Sequence, residues 1–150
     1  MVYNEIGKTG MRVSNLGFGA SSLGGVFHDI REAEGIKAVH TAVENGINFI
    51  DVSPYYGHLK AETVLGKALV DIQRDKYYLS TKVGRYGKDG KNTWDYSAKR
   101  VTDSVYESME RLHIDYIDLI NVHDVEFADL HQIVDETLPA LVKLREEGVV

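Results

Sequence analysis

The chain has 150 residues, 43% apolar and 27% charged, with 14 glycines and 2 prolines, which is the composition of a globular domain and excludes a disordered or fibrous chain. A formal net charge of −6 and a pI near 5.5 come without a basic block able to track a phosphate backbone, so nucleic acid is set aside as a partner. The absence of cysteine removes disulfides, thiolate nucleophiles and zinc–thiolate sites, and no run approaches the roughly 20 apolar residues that span a bilayer. With no signal-type N-terminus either, the expectation is a soluble cytoplasmic protein.

Residues 3–6 and 11–14 alternate on either side of Gly7-Lys8-Thr9-Gly10 and predict a small hairpin. Leu16-Gly17-Phe18-Gly19-Ala20 predicts a short first core strand whose glycines suit backbone lying close to something else. Apolar Ile36, Val39, Ala42 and Val43 predict a helix over 32–45 that Gly46 stops. The stretch from Ile47 to Ile50 is mostly apolar, as in a strand buried on both faces, and then breaks into Asp51-Val52-Ser53-Pro54-Tyr55-Tyr56-Gly57. A helix over 60–70 follows, with Val64, Leu65, Ala68 and Leu69 on its apolar face.

The second such strand runs from Tyr77 to Gly84 and carries Lys82 near its end. Residues 85–95 are rich in Gly, Lys, Asp and Asn without periodicity, and predict an exposed loop on the same rim as Lys82. Ser97 is a cap for a helix facing inward with Val101, Val105, Met109 and Leu112. A third run, Tyr116 to Asp124, delivers His123 at its polar end. A looser region over 125–132 leads to a helix over 134–147, with Pro139 bending it or lying in its first turn, and Gly148 ending it. Val149-Val150 read as the opening of a fifth strand.

Four strand–helix units at roughly 30 to 40 residue spacing predict right-handed parallel crossovers. A closed eight-unit (β/α)8 (TIM) barrel typically needs about 250 residues. The expectation is therefore an α/β chain covering the hairpin and about the first four units, with residues 1–150 as the N-terminal half of one barrel domain. A doubly wound sheet fits less well, because Gly17-Phe18-Gly19 does not open a helix at the spacing a pyrophosphate site needs.

Parallel neighbours would bring the C-terminal ends of these runs to one rim, where such folds place their chemistry. Asp51, Tyr56, Lys82 and His123 would then converge. A phenol is a poor acid–base group at neutral pH unless a nearby ammonium stabilises its anion. Lys82 would do so, Asp51 would compensate Lys82, and His123 would hydrogen-bond a substrate oxygen beside the phenol. The set suits proton transfer at an alcohol or carbonyl oxygen, with a cofactor handling hydride. Each residue also has a plainer reading: Asp51 as a turn former or helix cap, Tyr56 as a surface aromatic, Lys82 as a solvated strand end, His123 as a satisfied hydrogen-bonding residue. Three successive strand ends each delivering one member favours the joint reading. The other histidines lack metal-ligand spacing.

These motifs resemble the aldo-keto reductases, TIM barrels that bind a nicotinamide cofactor without a Rossmann domain. Asp51-Val52-Ser53-Pro54-Tyr55-Tyr56-Gly57 is similar to the family's Asp-to-Tyr-Gly motif, and Thr81-Lys82 and Val122-His123 to its remaining catalytic positions. The resemblance implies a tetrad of Asp51, Tyr56, Lys82 and His123, with Tyr56 as general acid/base. It implies nicotinamide near Gly19, Ala20, Ser21 and Asp51, and substrate against Tyr56 and His123. Within the family, Gly17-Phe18-Gly19-Ala20-Ser21, Thr81-Lys82-Val83-Gly84-Arg85-Tyr86 and His123-Asp124-Val125-Glu126-Phe127 are closer to the aldose 1-dehydrogenases, the L-galactose dehydrogenases of plant L-ascorbate synthesis included. That branch implies oxidation of a sugar at C1 to its lactone with NAD. NADP stays open, because the family's adenine-end contacts come mostly from the seventh and eighth strands. Residues 87–94 depart from the plant enzymes by their length. Tyr86 and Trp94 are the candidates to cover an apolar sugar face, the alternative being that one or both pack on the barrel exterior. Two other functions stay in view: an NADPH-dependent aldehyde or ketone reductase, and a redox-inactive barrel that only binds nicotinamide.

Overall fold

The alternating residues flanking Gly7-Lys8-Thr9-Gly10 pair antiparallel as β1 (Tyr3–Glu5) and β2 (Arg12–Ser14) in the computed structural model, which describes residues 1–88 and 91–150. One asparagine ties this hairpin beneath the main sheet. Asn48 donates its side-chain amide to the Arg12 carbonyl (3.0 Å), accepts the Ser14 N–H (2.6 Å), and donates its own N–H to Ser14 Oγ (3.1 Å).

The apolar runs form β3 (Phe18–Gly19), β4 (Phe49–Asp51), β5 (Tyr78–Val83) and, after a second hairpin of β6 (Arg85–Lys88) and β7 (Lys91–Trp94), β8 (Leu119–Val122). The sheet order is β3-β4-β5-β8, parallel throughout. Its register aligns Gly19 with Asp51, Asp51 with Ser80, and Lys82 with Asn121, so Asp51 and Lys82 stand at the same C-terminal end. Ile50, Val52, Leu79 and Val83 are buried, as double-sided parallel strands require.

Helices α1 (Glu32–Glu44), α2 (Lys60–Leu69) and α3 (Ala98–Leu112) cover the outer face. The predicted apolar stripes pack there: Val64, Leu65, Ala68 and Leu69 join Val39, Ile50 and Leu79, while Val101 and Val105 join Val83, Ile117, Leu141 and Leu144. Ser97 caps α3 by accepting the Arg100 N–H at 3.3 Å. Between α2, α3 and β5 lies one ion pair that the sequence reading had not singled out. The Glu62 carboxylate is fully buried and accepts from Thr81 Oγ1 (2.7 Å) and Arg111 Nε (2.8 Å). Among the described residues no helix is long and apolar enough to cross a membrane.

Two elements differ from the sequence expectation. The final helical run begins at α4 (Leu130–Gln132), passes through a π-helical turn over Ile133–Thr137, and continues as α5 (Leu138–Glu146). Pro139 thus sits inside the run. Its ring would press on the carbonyl four residues back in a regular helix, and the wider turn, in which the Leu138 N–H reaches Ile133 O, relieves this. The second difference is the stretch expected to be an irregular loop over 85–95. It is the hairpin of β6 and β7, although residues 89–90 lie outside the described residues. Past α5, Gly148 takes φ 75°, and Val149 O accepts the Ile117 N–H at 3.0 Å, beside the start of β8.

Candidate active site

The break after β4 is built as a tight turn whose backbone is held from outside. Gly57 (φ 62°), His58 (51°) and Leu59 (76°) are consecutive residues with positive φ, and for the two that carry a Cβ this is a strained conformation. A Cβ on Gly57 would lie 2.2 Å from Gly24 O, and one on Gly24 would lie 2.7 Å from Tyr56 O. Glycine at both positions lets the 3-10 turn Ala20–Gly24 lock against the turn that carries Tyr56.

All four expected residues meet at this rim. Lys82 Nζ donates to Asp51 Oδ2 (2.6 Å) and to the Val52 carbonyl (2.9 Å), leaving one ammonium proton for a further acceptor. The same nitrogen lies 5.0 Å from the centroid of the Tyr56 ring. The Tyr56 and His123 rings meet edge to face at 5.8 Å and 86°. Lys82 is mostly buried, so its pairing with Asp51 is needed to compensate the desolvated charge.

His123 is oriented from both sides. Ser53 Oγ accepts the Tyr55 N–H (3.1 Å) and lies 3.1 Å from His123 Nδ1. A Ser53 hydroxyl that donates to Nδ1 leaves Nε2 as the N–H donor of the ring. Burial holds the His123 pKa below the usual histidine value; Asp124 opposes this, Lys82 and Arg85 reinforce it, and Asp51 opposes it. The main chain at β8's end is held by Tyr96, whose hydroxyl donates to the carbonyls of His123 (2.8 Å) and Asp124 (3.2 Å). Its pKa is pushed up to about 12 by burial and then by Asp124 and Glu126, so it serves as a donor at all ordinary pH. Gly84, at φ 98°, makes room for that ring: a Cβ there would lie 2.2 Å from Tyr96.

The hairpin sorts the two aromatic candidates. Arg85 is the cross-strand partner of Trp94, and Tyr86 of Thr93, so Arg85 and Trp94 share one face and Tyr86 takes the other. Trp94 packs against Phe127 (5.3 Å) and over the Arg85 guanidinium (4.6 Å). Tyr86 corrects the sequence expectation of a sugar contact. It is buried, its hydroxyl accepts the Gly84 N–H (2.9 Å), and Arg100 of α3 covers its ring, which agrees with the alternative that it packs on the outer side.

Of the candidate nicotinamide residues, Ala20 is fully buried and Ser21 half-buried, so a ring placed there would meet backbone more than side chain. Gly19 lies opposite Asp51, and a Cβ added to it would meet nothing within 4 Å. Open space beside Asp51, a compensated Asp51–Lys82 pair, and a Tyr56 hydroxyl without a hydrogen-bond partner among the described residues fit a flat nicotinamide ring at this rim. Ser53, Tyr96, Arg85 and Asp124 had not been assigned roles from the sequence. Ser53, Arg85 and Asp124 carry a local signal, each lying inside a motif that also holds one of the four rim residues, and Tyr96 carries none.

Comparison with known proteins gives a consistent result. The model of the Aldo/keto reductase family matches residues 15–150. An L-galactose dehydrogenase of Arabidopsis thaliana is 50% identical over 145 residues, covering 95% of this chain and 44% of that protein. A D-threo-aldose 1-dehydrogenase of Pseudomonas sp is 34% identical, covering 94% and 49%. Among solved structures, the holo form of an aldo-keto reductase from Bacillus halodurans superposes with a TM-score of 0.87 at 34% identity, covering 99% of this chain and 48% of that one. The chain thus spans about half the length of the relatives it matches.

Proposed function

The chain belongs to the aldo/keto reductase family, its sheet and helices forming about half of a TIM barrel, and on that premise we propose that the protein oxidises an aldose at C1 to its lactone with NAD. The carrying observation is the convergence of Asp51, Tyr56, Lys82 and His123 on one rim, with Lys82 bonded to Asp51 and set near the Tyr56 ring. The rest of the barrel, in this proposal, comes from the remainder of the protein and supplies the adenine end of the cofactor site.

Nicotinamide, when bound, supplies the hydride acceptor. The protein's own residues manage the oxygen. His123 Nε2–H donates to the C1 hydroxyl oxygen and holds it beside Tyr56. Tyr56 exchanges the hydroxyl proton as general acid/base, so that as C1 loses hydride and its oxygen loses a proton, the C1–O bond becomes the lactone carbonyl. The Lys82 ammonium stands by the ring while the phenol lacks its proton, and Asp51 keeps Lys82 in place.

Steady-state assays of the full-length protein on a panel of aldoses, with NAD and with NADP, test this. Lactone formation faster with NAD is the expected result. NADPH-linked aldehyde reduction without aldose oxidation would assign the opposite direction and overturn the proposal.

A further inference from the structure

We propose that the Arg85–Asp124 ion pair is a specificity element that reads a hydroxyl next to the reacting carbon and excludes anionic sugars; this rests on the aldose reading above. Two stretches separated in sequence, one after Lys82 and one after His123, meet here. Arg85 directly follows Gly84 at the end of β5, Asp124 directly follows His123, and Arg85 Nη1 bonds Asp124 Oδ2 across the rim. The guanidinium is stacked 3.7 Å from the Tyr55 ring centroid and 4.6 Å from that of Trp94, so its plane is fixed by two aromatic faces.

The pair's position sets what it can touch. Asp124 Oδ2 lies 3.8 Å from His123 Nε2, the nitrogen assigned to the C1 oxygen. Neighbouring oxygens on a sugar ring are about a hydrogen-bond length apart. A sugar bonded to Nε2 therefore brings its next hydroxyl within reach of the Asp124 carboxylate, which accepts its proton. Both side chains remain partly exposed, at 20% and 26%, so neither is sealed from a ligand. Asp124 is also one of four non-glycine residues with positive φ (50°) among the described residues, and its carboxylate reaches both Arg85 and the neighbourhood of His123 Nε2.

Charge balance gives the exclusion. The rim carries two compensated pairs, Asp51 with Lys82 and Arg85 with Asp124, beside a His123 kept neutral. Among the described residues Lys82 and Arg85 are each matched by a carboxylate, so they offer a sugar carboxylate no unmatched charge, whereas hydroxyl groups find donors and acceptors together.

Asp124→Asn in the full-length protein tests the idea, since asparagine keeps the size and tolerates the left-handed conformation. The probes are a neutral aldose and its uronic acid, with dissociation constants from calorimetry alongside kcat/KM. In the parent the neutral sugar is expected to bind better. Asp124→Asn should shift the neutral-to-anion ratio at least about tenfold toward the uronic acid, or ~1.4 kcal/mol. Arg85→Met, which leaves Asp124 uncompensated, should shift it the other way. Ratios within twofold of the parent in both variants, with cooperative unfolding retained, would overturn the inference. Failure of the aldose reading shows differently, as a parent that reduces aldehydes but oxidises no sugar. The binding ratio for neutral and carboxylate-bearing aldehydes then decides this inference on its own.

Discussion

Deleting one oxygen at Tyr56 separates its packing from its chemistry. Tyr56→Phe keeps the ring against His123 and near Lys82, while the transferable proton is gone. Turnover of the full-length protein should fall by about 100-fold or more with cofactor affinity nearly unchanged; turnover within a fewfold of the parent would remove Tyr56 from the role. His123 gives a pH test. Its pKa is lowered in the folded state, chiefly by burial, so as pH falls below about 6.5 the unfolded chain takes up the proton first. The stability due to neutral His123 is fully present above that pH and is lost as pH falls toward the folded value. Urea unfolding at pH 7.5 and 5.5 should therefore show a smaller acid loss in His123→Gln than in the parent, and equal losses would sink the claim. At this scale the sequence was informative where a residue's role follows from its place at a strand end, as for Asp51, Lys82 and His123. Tyr96 was invisible because its partners are main-chain carbonyls 27 and 28 residues away, which no side-chain pattern records.

Among the elements, α2 links the Tyr56 turn to the Lys82 strand, and Glu62 is the link. Thr81 precedes Lys82 and points outward where Lys82 points inward, so the bond from Thr81 to Glu62 fixes β5 at the residue next to the ammonium. Arg111 supplies the charge that makes a fully buried carboxylate tolerable. Glu62→Gln keeps the shape but removes the buried charge that faces Arg111 at 2.8 Å, leaving it Ser108 and the more distant Glu107, and should cost about 3 kcal/mol in denaturant unfolding of the full-length protein. A loss below ~0.5 kcal/mol would mean that Arg111 turns to solvent freely. Periodicity located α2 and α3 well because each presents a continuous apolar stripe to the sheet. It failed on β6 and β7, where glycine and charge mask a hairpin whose order comes from Arg85 stacking on Trp94 and Tyr86 packing under Arg100 of α3. It also missed the π-helical turn, a consequence of Pro139 that depends on the helix having begun nine residues earlier.

For the whole molecule, the parallel order β3-β4-β5-β8 was legible because each crossover in the sequence contains a helix. What lies outside β3 and β8 concerns energetics. Leu119 and Ile120 form an apolar groove with Leu138, Leu141, Val142 and Met11, and Leu138 and Val142 are exposed. In the proposed barrel the remaining half covers this groove and pairs the outer strand edges, whose unpaired backbone groups otherwise invite association. At roughly 25 cal/mol per Å², each 400 Å² of apolar surface left uncovered forfeits about 10 kcal/mol, comparable with the entire net stability of a domain. Residues 1–150 expressed alone should therefore self-associate, unfold without a sharp transition, and oxidise no aldose, even though they carry all four rim residues. Sedimentation, thermal unfolding and an NAD-linked assay on this piece, side by side with the full-length protein, make the test. A monomer with a sharp transition and turnover near that of the full-length protein would show that the rim needs no second half, and the barrel proposal for the rest of the protein would fall with it.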